Sequence, residues 1–526
     1  IKNPININLN LVEAQQCRQI LDLIVGFTIS PLLWKNISRT KIGLSAGRCQ
    51  TPALRIIYEN QKEIDNSPGK KVYNTTGYFT SKNFPFILNY NFNEENEVIN
   101  FLEESTEFNH LLKVEDPKKS IRKPPTPFTT SNLQQAASNE LHISPKETMS
   151  ICQKLYEGGY ITYMRTDSKI YSNEFVNLAF EFITKKYGEN YITEDREKIT
   201  TSSSKSKSKK IKDNNAQEAH EAIRPTNIKI EQIPEDLDYT NREKKMYLLI
   251  WKNTIQSCMS DAIFNIIIAK IEAPLKKEYK YSCEEIVFDG WKVIDKKNIL
   301  DSKSNEGYYY LPKLMNQSVS YNKVLCKHSM KDLKSHYTEA KLVQLLEDKG
   351  IGRPSTFSSL IDKIQERGYV KKENIKGKKI KCIDYELENN EILEIEQEKE
   401  FGNENNKLVI QDIGIIVLEF LLNNFKKLFE YDYTCNMEKQ LDLVAKGQIN
   451  YEDICKECIK DINNENVNNN NNTNNSNNCL KKEEIIIDEN NKYIIGKNGP
   501  VIKTSDNKFL SVKRNIDIDK LKKGEY

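Results

Sequence analysis

Gly158-Gly159-Tyr160-Ile161-Thr162-Tyr163-Met164-Arg165-Thr166-Asp167-Ser168 is the stretch on which the reading of this chain turns. From Thr162 to Ser168 it gathers a phenol, a guanidinium, a carboxylate and three aliphatic hydroxyls. The glycine pair ends a helix, and the apolar-aromatic run Tyr160 to Tyr163 reads as a short strand or extended turn. Side chains alternate along extended backbone, so Tyr163 and Arg165 share one side. Tyrosine can act as a covalent nucleophile, but the free side chain has a pKa of about 10 and needs help. A guanidinium beside it can hold a phosphodiester oxygen and stabilise the charge that builds in the transition state. That is an arrangement for phosphoryl transfer. Taken alone, a Tyr-x-Arg pair more often means a packed tyrosine and an ordinary ion pair, and Tyr163 is one of 26 tyrosines.

The 526 residues allow roughly three or four domains. Apolar residues at 38% and charged residues at 29% suit a polar chain that still builds cores. The net charge of +3, from 78 basic and 75 acidic residues, does not by itself mark a nucleic-acid binder. Any basic surface must come from local clustering. The sequence has no run of roughly 18 apolar residues, so no membrane span is expected. It starts at Ile1 with nothing resembling a signal peptide, and reads as a fragment or processed form. Eleven cysteines without a framework point to reduced thiols in an intracellular compartment. Cys455 and Cys458 form the one CxxC; with no second pair spaced for zinc, no metal site is expected there.

GYITYMRTDS resembles the active-site segment of type IA DNA topoisomerases. The resemblance makes Tyr163 the residue that attacks the DNA backbone and Arg165 its phosphate partner. Other segments extend it. Apolar residues recur at helical spacing over 11–37, with Pro31 breaking or bending the helix. In LSAGRCQTPALRIIYE, small residues permit close backbone approach while Arg48 and Gln50 can bond phosphate or base edges. By itself this is as well a plain helix-loop-helix. Together the two segments resemble the family's single-strand-binding domain, which implies DNA contacts at Arg18, Gln19, Asp22, Phe27, Trp34, Ser45, Ala46, Gly47, Arg48, Cys49 and Gln50. Gln19 and Cys49 replace the commoner Arg and Val.

Proline-rich PPTPFTT is a rigid entry to a helix from Asn132 to Leu141, capped by Ser131 or Thr130. Ser144-Pro145 starts another that runs to Glu157. AQEAHEAIRPT is a further family signature, and it implies a phosphate-binding or proton-relay role for His220, a residue type that changes charge near neutral pH. Thr338 caps a helix that leads to Gly350-Ile351-Gly352-Arg353-Pro354-Ser355-Thr356, whose glycines free the backbone and whose polar groups suit phosphate at a helix start. A glycine-containing turn between helices explains that segment equally. Its resemblance to the family, with winged-helix character, implies contacts at Arg353, Thr356 and Arg367.

The expected fold is multidomain, mainly α with a β-rich arch, in the gate-like toroidal architecture of type IA topoisomerases. The expected layout is a helical single-strand-binding base (1–68), a β-rich arch (69–122), a catalytic tyrosine gate domain with a Lys/Ser insertion at about 201–213 (123–262), a second arch segment (263–333), and a second helical base segment (334–462). An Asn-rich linker (463–482) and a small C-terminal β repeat (483–526) complete the layout. Phe264 to Ile268 and Gly307 to Leu311 read as strands of the second arch segment, and Val467 to Asn478 as disordered. The resemblance implies ATP-independent relaxation of negatively supercoiled DNA through a 5′-phosphotyrosine. The implied partner is single-stranded or negatively supercoiled DNA, bound by a monomer with no membrane association, in the bacterial cytoplasm and nucleoid or in an organelle such as a plastid. It also implies Mg²⁺, held in an N-terminal Toprim domain whose acidic cluster has no equivalent here, so no metal ligand is assigned. A catalytically incomplete single-strand-binding protein on the same scaffold stays open, as does, more remotely, a tyrosine recombinase.

Overall fold

The computed structural model describes residues 7–37, 43–201, 221–298, 302–472, 485–486, 491–496, 499–504, 506 and 508–511. The Lys/Ser insertion, apart from Thr201, and His220 lie outside them. The chain divides into two compact units. One comprises Ile1–Gln61, Leu345–Lys372 and Leu408–Tyr526; the other comprises Lys62–Gln344 and Glu373–Lys407.

In the first unit the helix Leu9–Asn36 buries a stripe of Ala14, Cys17, Leu21, Val25, Ile29 and Leu33. It packs on the helices Tyr431–Ala445 and Tyr451–Asn472. By length and composition this helix could cross a membrane, but its buried stripe is that of a core helix. Asn8 caps it, and Pro31 sits inside it without ending it. Pro31 is exposed and has no amide to offer the Phe27 carbonyl one turn back. Cys455 lies on the third of these helices, its Sγ 3.8 Å from that of Cys17. That helix runs to Asn472 and so carries the first part of the Asn-rich run into regular structure.

The second unit contains a nine-stranded antiparallel sheet. Its strands are β1 (Lys70–Phe79), β2 (Phe84–Phe92), β3 (Leu112–Val114), β4 (Lys118–Arg122), β5 (Ala262–Ala273), β6 (Lys277–Phe288) and β7 (Tyr321–Lys331). After β8 (Val370–Ile375) come β9 (Lys378–Glu388) and β10 (Glu391–Phe401), which complete it. The order is β10-β9-β7-β1-β2-β6-β5-β3, with β4 also on β5, while β8 pairs with β11 (Glu404–Ile410) in a separate ribbon. Alternation drives the sheet: Tyr73, Phe79, Phe86, Phe92, Leu112, Ala269, Ile271, Tyr279 and Leu387 point into one core. Asp384 staples three strands, accepting the His328 N–H at 2.8 Å and Lys399 Nζ at 2.7 Å.

Two expectations fail here. Gly307 to Leu311 is not a strand: Ser302–Tyr310 is a helix followed by a 3₁₀ turn, Leu311–Leu314. It lies on β6, and a Cβ at Gly307 would meet Cys283 Sγ at 2.9 Å. Packing on the sheet overrides the β propensity of three tyrosines. Residues 370–410, expected within a helical segment, are strands, and β9 and β10 belong to the large sheet.

The remainder of the second unit carries the Tyr163 stretch. The helices Thr130–Leu141, Pro145–Glu157, Asn173–Tyr187 and Asn241–Ser257 enclose a core of Leu133, Leu155, Tyr171, Val176, Ile250 and Trp251 among others. Four strands, β12 (Ile485–Ile486), β13 (Asn491–Gly496), β14 (Gly499–Thr504) and β15 (Phe509–Ser511), form a small antiparallel sheet near the C-terminus.

Candidate active site and nucleic-acid interface

Ser144 caps the helix Pro145–Glu157, accepting the Glu147 N–H at 3.2 Å, and Gly158 ends it. Gly159 then turns the chain at φ +76°, a conformation open to glycine. Beyond the turn burial alternates residue by residue, with a bend in the chain at Met164. Met164, Thr166 and Ser168 are buried; Arg165 is exposed, and Tyr163 and Asp167 are half-buried on the same side. The Tyr163 ring meets Tyr156 edge-on at 5.4 Å. Among the described residues Arg165 has no carboxylate partner, which leaves its guanidinium open to an oxygen ligand.

The stretch is pinned from both sides. Thr130 Oγ1 donates to the Met164 carbonyl at 2.7 Å and accepts the Thr166 N–H at 2.9 Å. The Thr130 N–H reaches the Thr166 carbonyl, also at 2.9 Å. This corrects the expected helix cap: the Thr130 hydroxyl is committed to the site, and Thr129 caps instead, accepting the Asn132 N–H at 3.2 Å. On the other side the Thr162 hydroxyl donates to the Ala222 carbonyl and accepts the Arg224 N–H, each at 3.0 Å. The Thr226 N–H reaches the Tyr160 carbonyl at 3.0 Å. So the described end of the AQEAHEAIRPT motif runs beside Tyr160 to Thr162. Arg224 pairs with Glu221 at 2.6 Å and lies over the Phe175 ring at 4.1 Å.

In the first unit, Gln19, Asp22, Phe27 and Trp34 line the exposed side of the helix Leu9–Asn36, with Phe27 76% exposed. Trp34 Nε1 donates to the Leu44 carbonyl at 2.6 Å and ties the helix end to the Ser45–Gln50 segment. The Tyr369 hydroxyl takes the Ser45 N–H at 2.7 Å and donates to its carbonyl at 2.9 Å. The Ala46 N–H goes to Ser30 Oγ, and the Gly47 N–H to Thr51 Oγ1. Gln50 is buried and turned back on Ser45, and Cys49 Sγ faces Glu438 at 4.0 Å. Thr356 Oγ1 accepts the Arg353 N–H at 2.9 Å, and Arg367 Nη1 donates to the Gly43 carbonyl.

One group that local sequence patterns do not flag organises this surface. Glu438 is buried, its side chain 2% exposed, and takes Arg48 Nη1 on one oxygen and Arg18 Nη2 on the other, the latter at 3.2 Å. Arg353 Nε stands 3.7 Å away. Burial opposes its charge, yet Arg48, Arg353 and Arg18 together hold its pKa down at about 2. Arg48, 4% exposed and also paired to Asp22 at 2.9 Å, is spent inside the protein. Asp22 is its second carboxylate partner.

The sequence profile described as DNA topoisomerase matches residues 6–383. The chain belongs to the type IA DNA topoisomerase family. It is 36% identical over 478 residues to the DNA topoisomerase 1 of Buchnera aphidicola, covering 87% of this chain and 48% of that protein. To the DNA topoisomerase 1 of Aquifex aeolicus it is 34% identical over 478 residues, covering 88% of this chain and 76% of that protein. The structure of full-length topoisomerase I from Thermotoga maritima matches with a TM-score of 0.69 and 26% identity, over 97% of this chain and 78% of that one. The chain spans about half the length of several curated relatives it matches, the Buchnera and Rickettsia bellii topoisomerases among them.

Topoisomerases of this family are generally Mg²⁺-dependent. Among the described residues no group of three or more His, Cys, Asp or Glu side chains could hold a metal. Glu438 and Asp22 are committed to arginines. The described residues therefore do not fit a Mg²⁺ site, and the chemistry derived from them runs through none.

Proposed function

We propose that this chain supplies the nucleophile and strand-binding surfaces of a topoisomerase that relaxes negatively supercoiled DNA, acting as a monomer inside the cell. The observation that carries the reading is the outward pair Tyr163 and Arg165 on a stretch hydrogen-bonded from both sides. The Tyr163 phenol oxygen attacks a backbone phosphorus and gives up its proton. The phosphotyrosyl ester to the 5′ side forms as the P–O3′ bond breaks, and the 3′ hydroxyl leaves with a proton. One ester replaces another, so resealing is the reverse step and needs no ATP. Arg165 holds the non-bridging oxygen as charge builds. Passage of the other strand would use opening of a toroidal gate carried on the large sheet. His220, two positions before Ala222 in the sequence, is the candidate for moving a proton or binding phosphate. Binding combines stacking on Phe27 and Trp34 with phosphate contacts from Arg18, Arg353, Thr356 and Arg367.

The test is a covalent trap. A short end-labelled single strand is incubated with the protein, quenched with detergent and resolved on a gel, beside plasmid relaxation with Mg²⁺. A detergent-stable adduct that disappears in Tyr163→Phe supports the reading. Salt-sensitive strand binding with no adduct from the full protein bearing this chain would favour the single-strand-binding alternative.

A further inference from the structure

We propose that Asp442 is a displaceable place-holder on Arg353: its carboxylate occupies the guanidinium in the free protein and yields to a backbone phosphate when a single strand binds. The inference rests on the reading of Arg353 as a phosphate contact.

Every nitrogen of Arg353 faces a protein oxygen. Nη1 donates to the Gly352 carbonyl at 3.1 Å, and Nη2 donates to the Glu438 carbonyl at 3.2 Å and to Asp442 Oδ2 at 2.7 Å. Nε stands 3.7 Å from the Glu438 carboxylate. Three of its five N–H donors are hydrogen-bonded, both of those on Nη2 among them, so a phosphate that takes the Nη2 edge does so by exchange. The four acceptors are not equally replaceable. Two are backbone carbonyls of an ordered loop and a helix. The Glu438 carboxylate is buried and shared with Arg18 and Arg48.

Asp442 differs on each count. It lies one turn beyond Glu438 on the helix Tyr431–Ala445, and its side chain is 27% exposed. Among the described residues Arg353 is its one ion-pair partner. Burial raises its pKa despite Arg353, so its charged form is held less firmly than that of Glu438. A rotation about its side-chain bonds turns it toward solvent. On Arg353 one anionic partner replaces another, while the Asp442 carboxylate moves out to water, where its charge is screened. A phosphodiester offers two charged oxygens to a planar fork, against the one Asp442 oxygen engaged here.

The experiment is fluorescence anisotropy of a labelled oligo-dT strand at fixed salt, with the whole chain as wild type, Asp442→Asn, Arg353→Gln and the double variant. Asn keeps the shape and loses the charge. Asp442→Asn is expected to tighten binding about two- to five-fold, the scale of releasing one partly exposed ion pair. In the Arg353→Gln background the same change is expected to alter binding by less than about two-fold. Asp442→Ser repeats the comparison if Asn disturbs the helix by circular dichroism. Unchanged or weaker binding by Asp442→Asn overturns the place-holder. So does an equal gain in both backgrounds, which would mean only a general change of field. If wild type binds no strand at all, the reading of Arg353 as a phosphate contact fails, and the place-holder with it.

Discussion

Replacing Glu438 by Gln removes the charge on which Arg18, Arg48 and Arg353 converge while keeping the side chain's shape. Arg48 then stays buried with Asp22 alone, and Arg353 with Asp442. Two routes give the size of the loss. The Glu438 pKa falls from 4.5 to about 2, which at roughly 1.4 kcal/mol per unit corresponds to about 3 kcal/mol. Independently, removing one partner from a buried ion pair costs about 3–5 kcal/mol. Because the folded pKa is depressed, this stabilisation is complete above pH about 4.5 and is lost as pH falls through about 2. It should therefore be the same at pH 7 and pH 5. Hydrogen exchange followed by mass spectrometry reads the effect locally. Amides of the helix Tyr431–Ala445 should exchange about 10²-fold faster in Glu438→Gln at pH 7, while those of Thr130–Leu141 in the other unit stay unchanged. A change below about three-fold in Tyr431–Ala445 would show that the carboxylate does not hold these helices together.

Arg165→Lys keeps the charge and loses the fork, and is expected to slow adduct formation by roughly 10²-fold; weakened strand binding with an unchanged cleavage rate would reduce Arg165 to a positioning contact. Thr130→Val leaves the Met164 carbonyl and Thr166 amide without their hydroxyl partner, at about 1–3 kcal/mol each. Cleavage should fall at least about ten-fold in Thr130→Val and return to within a few-fold in Thr130→Ser, measured on the same labelled strand.

The alternation around Tyr163 was legible because it is local. Period-two backbone puts Met164, Thr166 and Ser168 inward, and that is where they lie. The Ser144 cap and the Gly158 stop were equally local, as was the Thr338 cap, which accepts the Lys341 N–H at 3.2 Å. The misses share a cause in long-range structure. Arg48 and Glu438 are 390 positions apart, so nothing near Arg48 announces that it is buried. Thr130 meets Thr166 across 36 positions, which moved the helix cap to Thr129. Strands β9 and β10 are rich in Lys and Glu, and their place in the sheet, β9 on β7 and β10 on β9, rests on a strand far back in the sequence. Tyr308 to Tyr310 carry strand propensity but pack as a helix on a sheet whose partners lie elsewhere in the sequence.

Peptide mapping of the trapped adduct tests most directly whether the Tyr163 phenol oxygen is the atom that bonds to DNA. The full protein bearing this chain is incubated with a single strand labelled at its 3′ end, denatured, and digested with protease and nuclease. Mass spectrometry should then find a nucleotide 5′-phosphate mass on the peptide containing Tyr163, and none in Tyr163→Phe. A nucleotide on any other tyrosine, or an adduct that persists in Tyr163→Phe, would contradict Tyr163 as the nucleophile.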